Sequence, residues 1–443
     1  MLVGPIRRFG LVPAVVAGLT LPAAPAVAAN ISLIRDAEIE ATLHRFLTPL
    51  LEAAGLGPGS VRIYIVNDPQ LNAFVAGGMN LFLNTGLIMA TQNPGQLVGV
   101  MAHEVGHIAG GHLTRQGTPR TKATAESILS AVVGAAAAAI SPGLGTAIIA
   151  GGNQYAQEGL MRFSRGQEQA ADQAGCTYLT RAGLSARGLA QFFHVLENQN
   201  ILTVSYANPW LMSHPLTRER IEFVDNWVAT HSNPPPPAGW VEAHRRMVAK
   251  LKAFLNDPND TLREYQGDNS VDGRYARAIA EYRLPDLPRA LKDIDALIKE
   301  HPDNPYFYEL KGQMLFENGR IQDAIAPYRE SVRLAPGSAL LRIGLARALI
   351  ETNAPGPTRQ AIEQLQDARQ REPDNATAWR LLGIAQGRSG QEGLSDLAFA
   401  EYSLLIGKRG DARRFAHRAQ GKIAASDPAW LQLQDILREL EES

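Results

Sequence analysis

Apolar residues recur three and four positions apart through residues 33–56. Ile34, Ala37, Ala41, Leu43, Leu47 and Leu51 share one side, and the run stops at Gly55 and Pro58, a pattern that predicts an amphipathic helix. Three short runs follow at 61–66, 72–76 and 79–84, the last two separated by Gly77 and Gly78, and they predict the strands of a small sheet. Asn93 before Pro94 is a capped helix start, and the helical pattern then covers 97–116 up to Gly117 and Pro119. Helical patterns also occupy 162–180, 185–199, 218–230 and 240–255, while Asn233 and the prolines Pro234, Pro235, Pro236 and Pro237 mark a stiff, exposed connection. Residues 127–157 carry no Asp, Glu, Lys or Arg and break at Pro142 and Gly143. Each half is shorter than the roughly 20 residues of a spanning helix, so the stretch reads as a buried or groove-lining helical pair ahead of a membrane hairpin.

Beyond residue 272 the pattern repeats. Gly312, Ala324, Tyr328 and Pro336 occupy the small, small, aromatic and proline positions of a tetratricopeptide unit, and Pro302 lies about 34 residues earlier. Trp379 and Gly383 recur at the same offsets and Ala290 matches the previous unit. Ala361, Ala368 and Pro373 fit once an insertion of about three residues is placed in 353–357. Residues 381–417 degenerate in the manner of a terminal repeat that faces water. An unrelated helical bundle would need all these offsets to agree by accident. The expected division is an export signal at 1–28, a first domain at 29–256, a linker at 257–271 and an all-α repeat array at 272–443.

Composition agrees with two domains, because 443 residues with 45% hydrophobic and 20% charged content exceed one ordinary core. A net charge of −1 provides no global field toward nucleic acid or an anionic membrane, so nucleic acid is not an expected partner and any partner is recognised locally. The lone Cys176 excludes an intramolecular disulfide and a Cys-type structural zinc site, and it reads as a small buried hydrophobe. The basic run 408–422, with Asp411 its only acid, reads as a solvated helix face. At the N-terminus, Arg7 and Arg8 precede an apolar run at 9–21 and the small residues around Ala28 and Ala29. This is the layout of a cleavable secretory signal and implies a periplasmic location.

The candidate chemistry lies at His103, Glu104 and His107. Two imidazoles four residues apart sit about 40° apart around a helix and one turn along it, so both can reach one metal ion. Glu104 beside them can hold a water whose pKa the metal lowers, and can accept its proton as it attacks a peptide carbonyl. A catalytic zinc needs a third protein ligand. His112 is rotated about 140° from His107 on a continuing helix and reads as a structural or supporting residue. Glu168 and Asp172 stand at i and i+4, where one carboxylate can bind metal and the other can orient a ligand histidine. The same spacing also fits two solvated acids, and the residues alone leave both readings open.

The His103 to His107 motif, the segment from Ser164 to Asp172 and the segment from His214 to Arg220 together resemble the periplasmic zinc metallopeptidases related to the heat-shock protease HtpX and the CAAX prenyl endopeptidases. The export-like start and the repeat array are similar to the members of that family that serve outer-membrane β-barrel assembly. The resemblance implies an α+β, mostly helical chain: a zincin-type metallopeptidase domain with a small β-sheet, then an all-α TPR array. It implies one Zn²⁺ per subunit held by His103, His107 and Glu168, with Asp172 behind the ligands. His214 is implied as a displaceable fourth ligand that silences the resting enzyme, accompanied by Arg220, although a helix-entry histidine before a proline is the plainer reading. Asn72, Ala73, Phe74, Val75, Ala76, Gly77 and Gly78 are the candidate edge strand for an extended substrate, or else a simple hairpin partner. The implied activity is removal of misassembled outer-membrane proteins, with the array contacting these clients or the β-barrel assembly machinery and with room for peripheral membrane contact. The competing expectations are a TPR chaperone or adaptor whose zinc is structural or silenced, and an integral-membrane protease built on 127–157.

Overall fold

The first helix starts later than the apolar pattern predicts. In this computed structural model, which describes residues 32–112, 163–202 and 209–441, Leu33–Ile34 form a short strand β1 and helix α1 covers Ala37–Ala53. The Asp36 side chain sets the boundary by accepting hydrogen bonds from the Glu38 and Ile39 amides at 3.0 and 2.9 Å. The export signal and the uncharged stretch 127–157 lie outside the described residues.

The sheet has the order β1-β2-β4-β3, with β2 at Arg62–Val66, β3 at Ala73–Ala76 and β4 at Asn80–Asn84. β2 and β4 are parallel, whereas β1 and β3 join antiparallel at the two edges. The β3–β4 turn needs left-handed backbone at Gly77 and Gly78, with φ of 56° and 96°, and Asn80 fastens it by donating to the Gly77 carbonyl at 2.8 Å. Alternation sorts the faces. Ile34, Ile65, Ala73, Val75, Leu81 and Leu83 join the core with α1, while Tyr64, Phe82 and Phe74 stack across strands on the other face at 4.9 and 4.8 Å.

After α2 (Thr85–Ala90), helix α3 spans Pro94–Ala109, capped by Asn93. The expectation that it continues to residue 116 is corrected: Gly110 caps it and Gly111 turns left-handed at φ 62°. Buried over most of its length, α3 crosses α4 (Arg165–Arg181) and α5 (Arg187–Leu202) at backbone contact. A Cβ at Gly106 would stand 2.6 Å from the Ala171 carbonyl, and one at Gly99 would stand 2.7 Å from the Leu189 amide, so only glycine permits these crossings. Helices α6 (Pro209–Ser213), α7 (Arg218–Thr230) and α8 (Trp240–Leu255) complete this half.

The residues expected as a linker contain helix α9 (Pro258–Glu264), whose Thr261 is buried. Antiparallel pairs follow: α10–α11 (Val271–Arg283, Leu287–Glu300), α12–α13 (Pro305–Glu317, Ile321–Leu334), α14–α15 (Ala339–Glu351, Pro355–Arg371) and α16–α17 (Ala376–Arg388, Glu392–Leu405). Helices α18 (Arg409–Gln420) and α19 (Ala429–Glu441) end the described chain. The Tyr328 ring would lie 2.8 Å from a Cβ at Gly312, which explains the small and aromatic positions of the repeat.

Array and first half are joined by buried charge. Lys250 on α8 reaches Asp36 at 2.7 Å and lies 3.6 Å from both Glu38 and Glu309, and the Tyr275 hydroxyl donates to Glu38 at 3.0 Å. Farther along the array, Arg35 pairs with Glu372 at 2.7 Å.

Candidate metal and catalytic centre

Helix α3 buries His103, Glu104 and His107 completely, and its close crossing with α4 brings Glu168 and Asp172 against them. The turn after α6 adds His214, whose amide donates to the Trp210 carbonyl at 2.7 Å, and α7 adds the buried Arg220. One ligand-competent atom from each of His103, His107, Glu168 and His214 lies within 4.8 Å of the others. The individual spacings are tighter: His103 Nε2 to His107 Nε2 is 3.1 Å, His103 Nε2 to His214 Nδ1 is 3.3 Å, and His107 Nε2 to Glu168 Oε1 is 3.3 Å. Ligand atoms at zinc–nitrogen bond length on a tetrahedron stand about 3.3 Å apart. Imidazole nitrogens that face one another with lone pairs repel, and a shared cation turns that repulsion into attraction. The donor set therefore fits a small divalent cation.

Behind these atoms lies a second layer of contacts. His103 Nδ1 donates to Asp172 Oδ1 at 2.8 Å, which leaves Nε2 free to act as a ligand. Arg220 donates through Nε to Asp172 Oδ2 at 2.6 Å and through Nη2 to Oδ1 at 2.9 Å, and its Nη1 lies 2.7 Å from Glu168 Oε2. Its guanidinium rests on the Phe193 ring at 5.0 Å and on Trp210 at 5.8 Å. Burial opposes charge at Asp172, but the Arg220 hydrogen bonds outweigh it and lower its pKa. Burial likewise opposes charge on Glu168, yet His103, His107 and His214 hold its carboxyl well below the usual range. His103 is raised to about 9, because hydrogen bonds to Asp172 and Glu168 overcome its burial. Glu104 differs: burial raises its pKa against the opposing charges of His214 and His103, and neither carboxylate oxygen has a hydrogen-bond partner. Its Oε1 lies 3.5 Å from His214 Nε2.

Sequence reasoning did not single out Phe163, stacked on His107 at 3.9 Å, or Trp210, stacked on His214 at 5.0 Å. Trp210 had a readable signal, since it precedes His214 by one helical turn, whereas Phe163 had none. His112 lies past the end of α3, where its Nδ1 stands 3.0 Å from His107 Nδ1. That contact depends on the break at Gly110 and Gly111. Of the candidate substrate segment, Ala73, Phe74, Val75 and Ala76 form the edge strand β3 beside α3, Asn72 precedes it, and Gly77 and Gly78 make the turn.

This arrangement defines a metallopeptidase centre on a mostly helical frame with a repeat array attached. Residues 36–228 match peptidase family M48, and residues 275–339 and 315–382 match tetratricopeptide repeats. The chain is a metalloendopeptidase with an M48 domain followed by TPR repeats. It is 26% identical to the beta-barrel assembly-enhancing protease of Yersinia pestis over 78% of this chain and 71% of that protein. It is 24% identical to the protein of the same name from Escherichia coli (strain K12), over 81% and 74% of the two chains. Among solved structures, the TPR protein YrrB aligns with 39% of this chain and 89% of its own at 13% identity and a TM-score of 0.33.

Proposed function

We propose that this chain is a periplasmic, zinc-dependent endopeptidase that cuts misassembled outer-membrane β-barrel proteins and assists their assembly. The observation that carries this reading is the convergence of His103, His107, Glu168 and His214 beside the buried Glu104, whose oxygens have no hydrogen-bond partner. In it, His103, His107 and Glu168 hold the zinc and His214 closes a fourth position at rest. When bound, the ion supplies Lewis acidity that polarises a scissile carbonyl and acidifies a water. Glu104 accepts the proton released as the peptide bond is attacked and passes it to the leaving amine, a role that suits a carboxylate whose pKa burial has raised. Asp172 fixes the His103 tautomer, and Arg220 holds Asp172 in its ionised form and pairs with Glu168. The edge strand β3 offers backbone groups to an extended peptide.

The β-barrel client class rests on the names of the similar proteins, and the periplasmic setting rests on the basic, apolar and small-residue layout at the N-terminus. The repeats, modules for binding other proteins, are assigned to the clients or to the β-barrel assembly machinery. The test is Glu104→Gln, incubated with an unfolded outer-membrane barrel protein. Zinc content should be unchanged while cleavage falls by roughly 10²–10⁴-fold, the usual worth of a general base. Undiminished cleavage would remove Glu104 from the mechanism.

A further inference from the structure

His103 and His107 present their Nε2 atoms to the same point, 3.1 Å apart, yet the groups behind them differ in kind. His103 Nδ1 faces a carboxylate, Asp172, which is itself paired with Arg220. His107 Nδ1 faces another imidazole: His112 Nδ1 stands 3.0 Å away, with ring centroids 5.0 Å apart and the rings nearly perpendicular at 77°. At that distance a single proton lies between the two nitrogens, because two bare lone pairs or two N–H groups would repel. A neutral imidazole that turns Nε2 toward a metal carries its proton on Nδ1. His107 is then the donor and His112 the acceptor.

The local chain is shaped to bring the two rings together. On an unbroken helix His112 would point about 140° away from His107. Instead α3 is capped by Gly110, and Gly111 turns left-handed at φ 62°, a conformation that favours glycine. Gly110 leaves room for the returning ring, since a Cβ there would stand 2.6 Å from His112 Nε2. His112 is buried, and Phe163 packs near both rings, with its centroid 3.9 Å from that of His107 and 6.4 Å from that of His112. We propose that His112 is a positioning residue of the metal centre, which accepts the Nδ1 proton of His107 and so keeps Nε2 of that ring turned toward the ion. The assignment rests on the zinc reading of the centre and deepens it. It also makes the two histidine ligands unequal, because a carboxylate behind an imidazole raises its basicity more than a neutral ring does.

The experiment reads the zinc affinity of the full chain by competition with a chromogenic chelator, so activity is not needed. His112→Phe keeps a buried ring but removes the acceptor, and lowers affinity about 10–100-fold, the usual worth of a group that orients a ligand. His112→Asn returns an acceptor near the place of Nδ1 and recovers most of that loss. Gly110→Ala keeps His112 and every ligand but displaces the His112 ring, and it lowers affinity as well. Undiminished affinity in His112→Phe would overturn the proposal, and so would an equal loss in the Phe and Asn variants, which is what a role in shape alone predicts. A second measurement needs no substitution and decides the matter even if the variants misfold. In the zinc-loaded chain with ¹⁵N-labelled histidine rings, a ¹⁵N–¹⁵N coupling passes through the hydrogen bond between His107 and His112, and its absence would overturn the proposal. Zinc bound equally well with and without the His112 acceptor removes only this assignment, whereas an unsubstituted chain that binds no zinc removes the zinc reading itself.

Discussion

Two of the buried charge clusters among the described residues are built differently. At the interface between array and peptidase half, a cation stands among anions: Lys250 faces Asp36, Glu38 and Glu309, and Arg246 meets Glu38 at 3.0 Å. At the catalytic helix, Arg220 pairs with Asp172 and Glu168, but the ligand-competent atoms converge on one another. Three imidazoles face one another, and Glu104 is left without a hydrogen-bond partner. The first plan sets opposite charges against one another and joins two regions. The second gathers four ligand-competent atoms that could hold a metal ion, as the proposed function requires.

The comparison is broken most severely by removing the central cation of the interface. Lys250→Met keeps much of the volume but takes the cation from Asp36 and Glu309 and leaves Glu38 with Arg246 and Tyr275 alone, and should cost about 3–5 kcal/mol of stability in a denaturant titration. A loss below about 1 kcal/mol would mean that water reaches these acids and that the cluster does not hold the halves together. Asp172→Asn tests the other cluster. It leaves the shape intact while weakening the orientation of His103, and zinc affinity measured by competition with a chelator should fall about 10–100-fold. Unchanged affinity would make Asp172 a partner of Arg220 alone.

The smallest effect is in pH dependence, where the clusters differ in sign. Burial holds the Glu309 carboxyl up at about 7 against its ordinary 4.5, with Lys250 pulling the other way. The folded chain therefore binds a proton there that the unfolded chain releases. Its contribution is complete below pH 4.5 and fades as pH rises toward 7. Asp172 is held below its ordinary 3.8, so its contribution is present above that value and is lost as pH falls. Glu309→Gln should flatten the slope of stability between pH 5 and 7, and an unaltered slope would assign it to another group.

Much of this was legible in the sequence because it depends on local spacing. His103 and His107 share a helix face, Glu168 and Asp172 share another, and the repeat offsets follow from Gly312 packing under Tyr328. What was hidden depends on long-range contact. Lys250 sits in a helix whose charge pattern looks solvated, and its partners Asp36 and Glu38 lie more than 200 residues earlier, so nothing local marks it as buried. The end of α3 is not legible locally, because the sequence pattern predicts helix through 116 and the left-handed turn at Gly111 is visible only in the backbone. β1 is hidden within the predicted helix because two residues carry no usable alternation before an apolar run. Phe163 was hidden for the same reason as Lys250, since its ring meets a histidine on another helix.

The central claim is most directly tested by a crystal structure of the purified protein with anomalous data collected across the zinc absorption edge. The account predicts one zinc peak per chain, bonded to His103 Nε2, His107 Nε2 and a Glu168 oxygen, with His214 at the remaining position. A zinc-replete crystal with no peak there, or a peak whose ligands leave out Glu168, would contradict it.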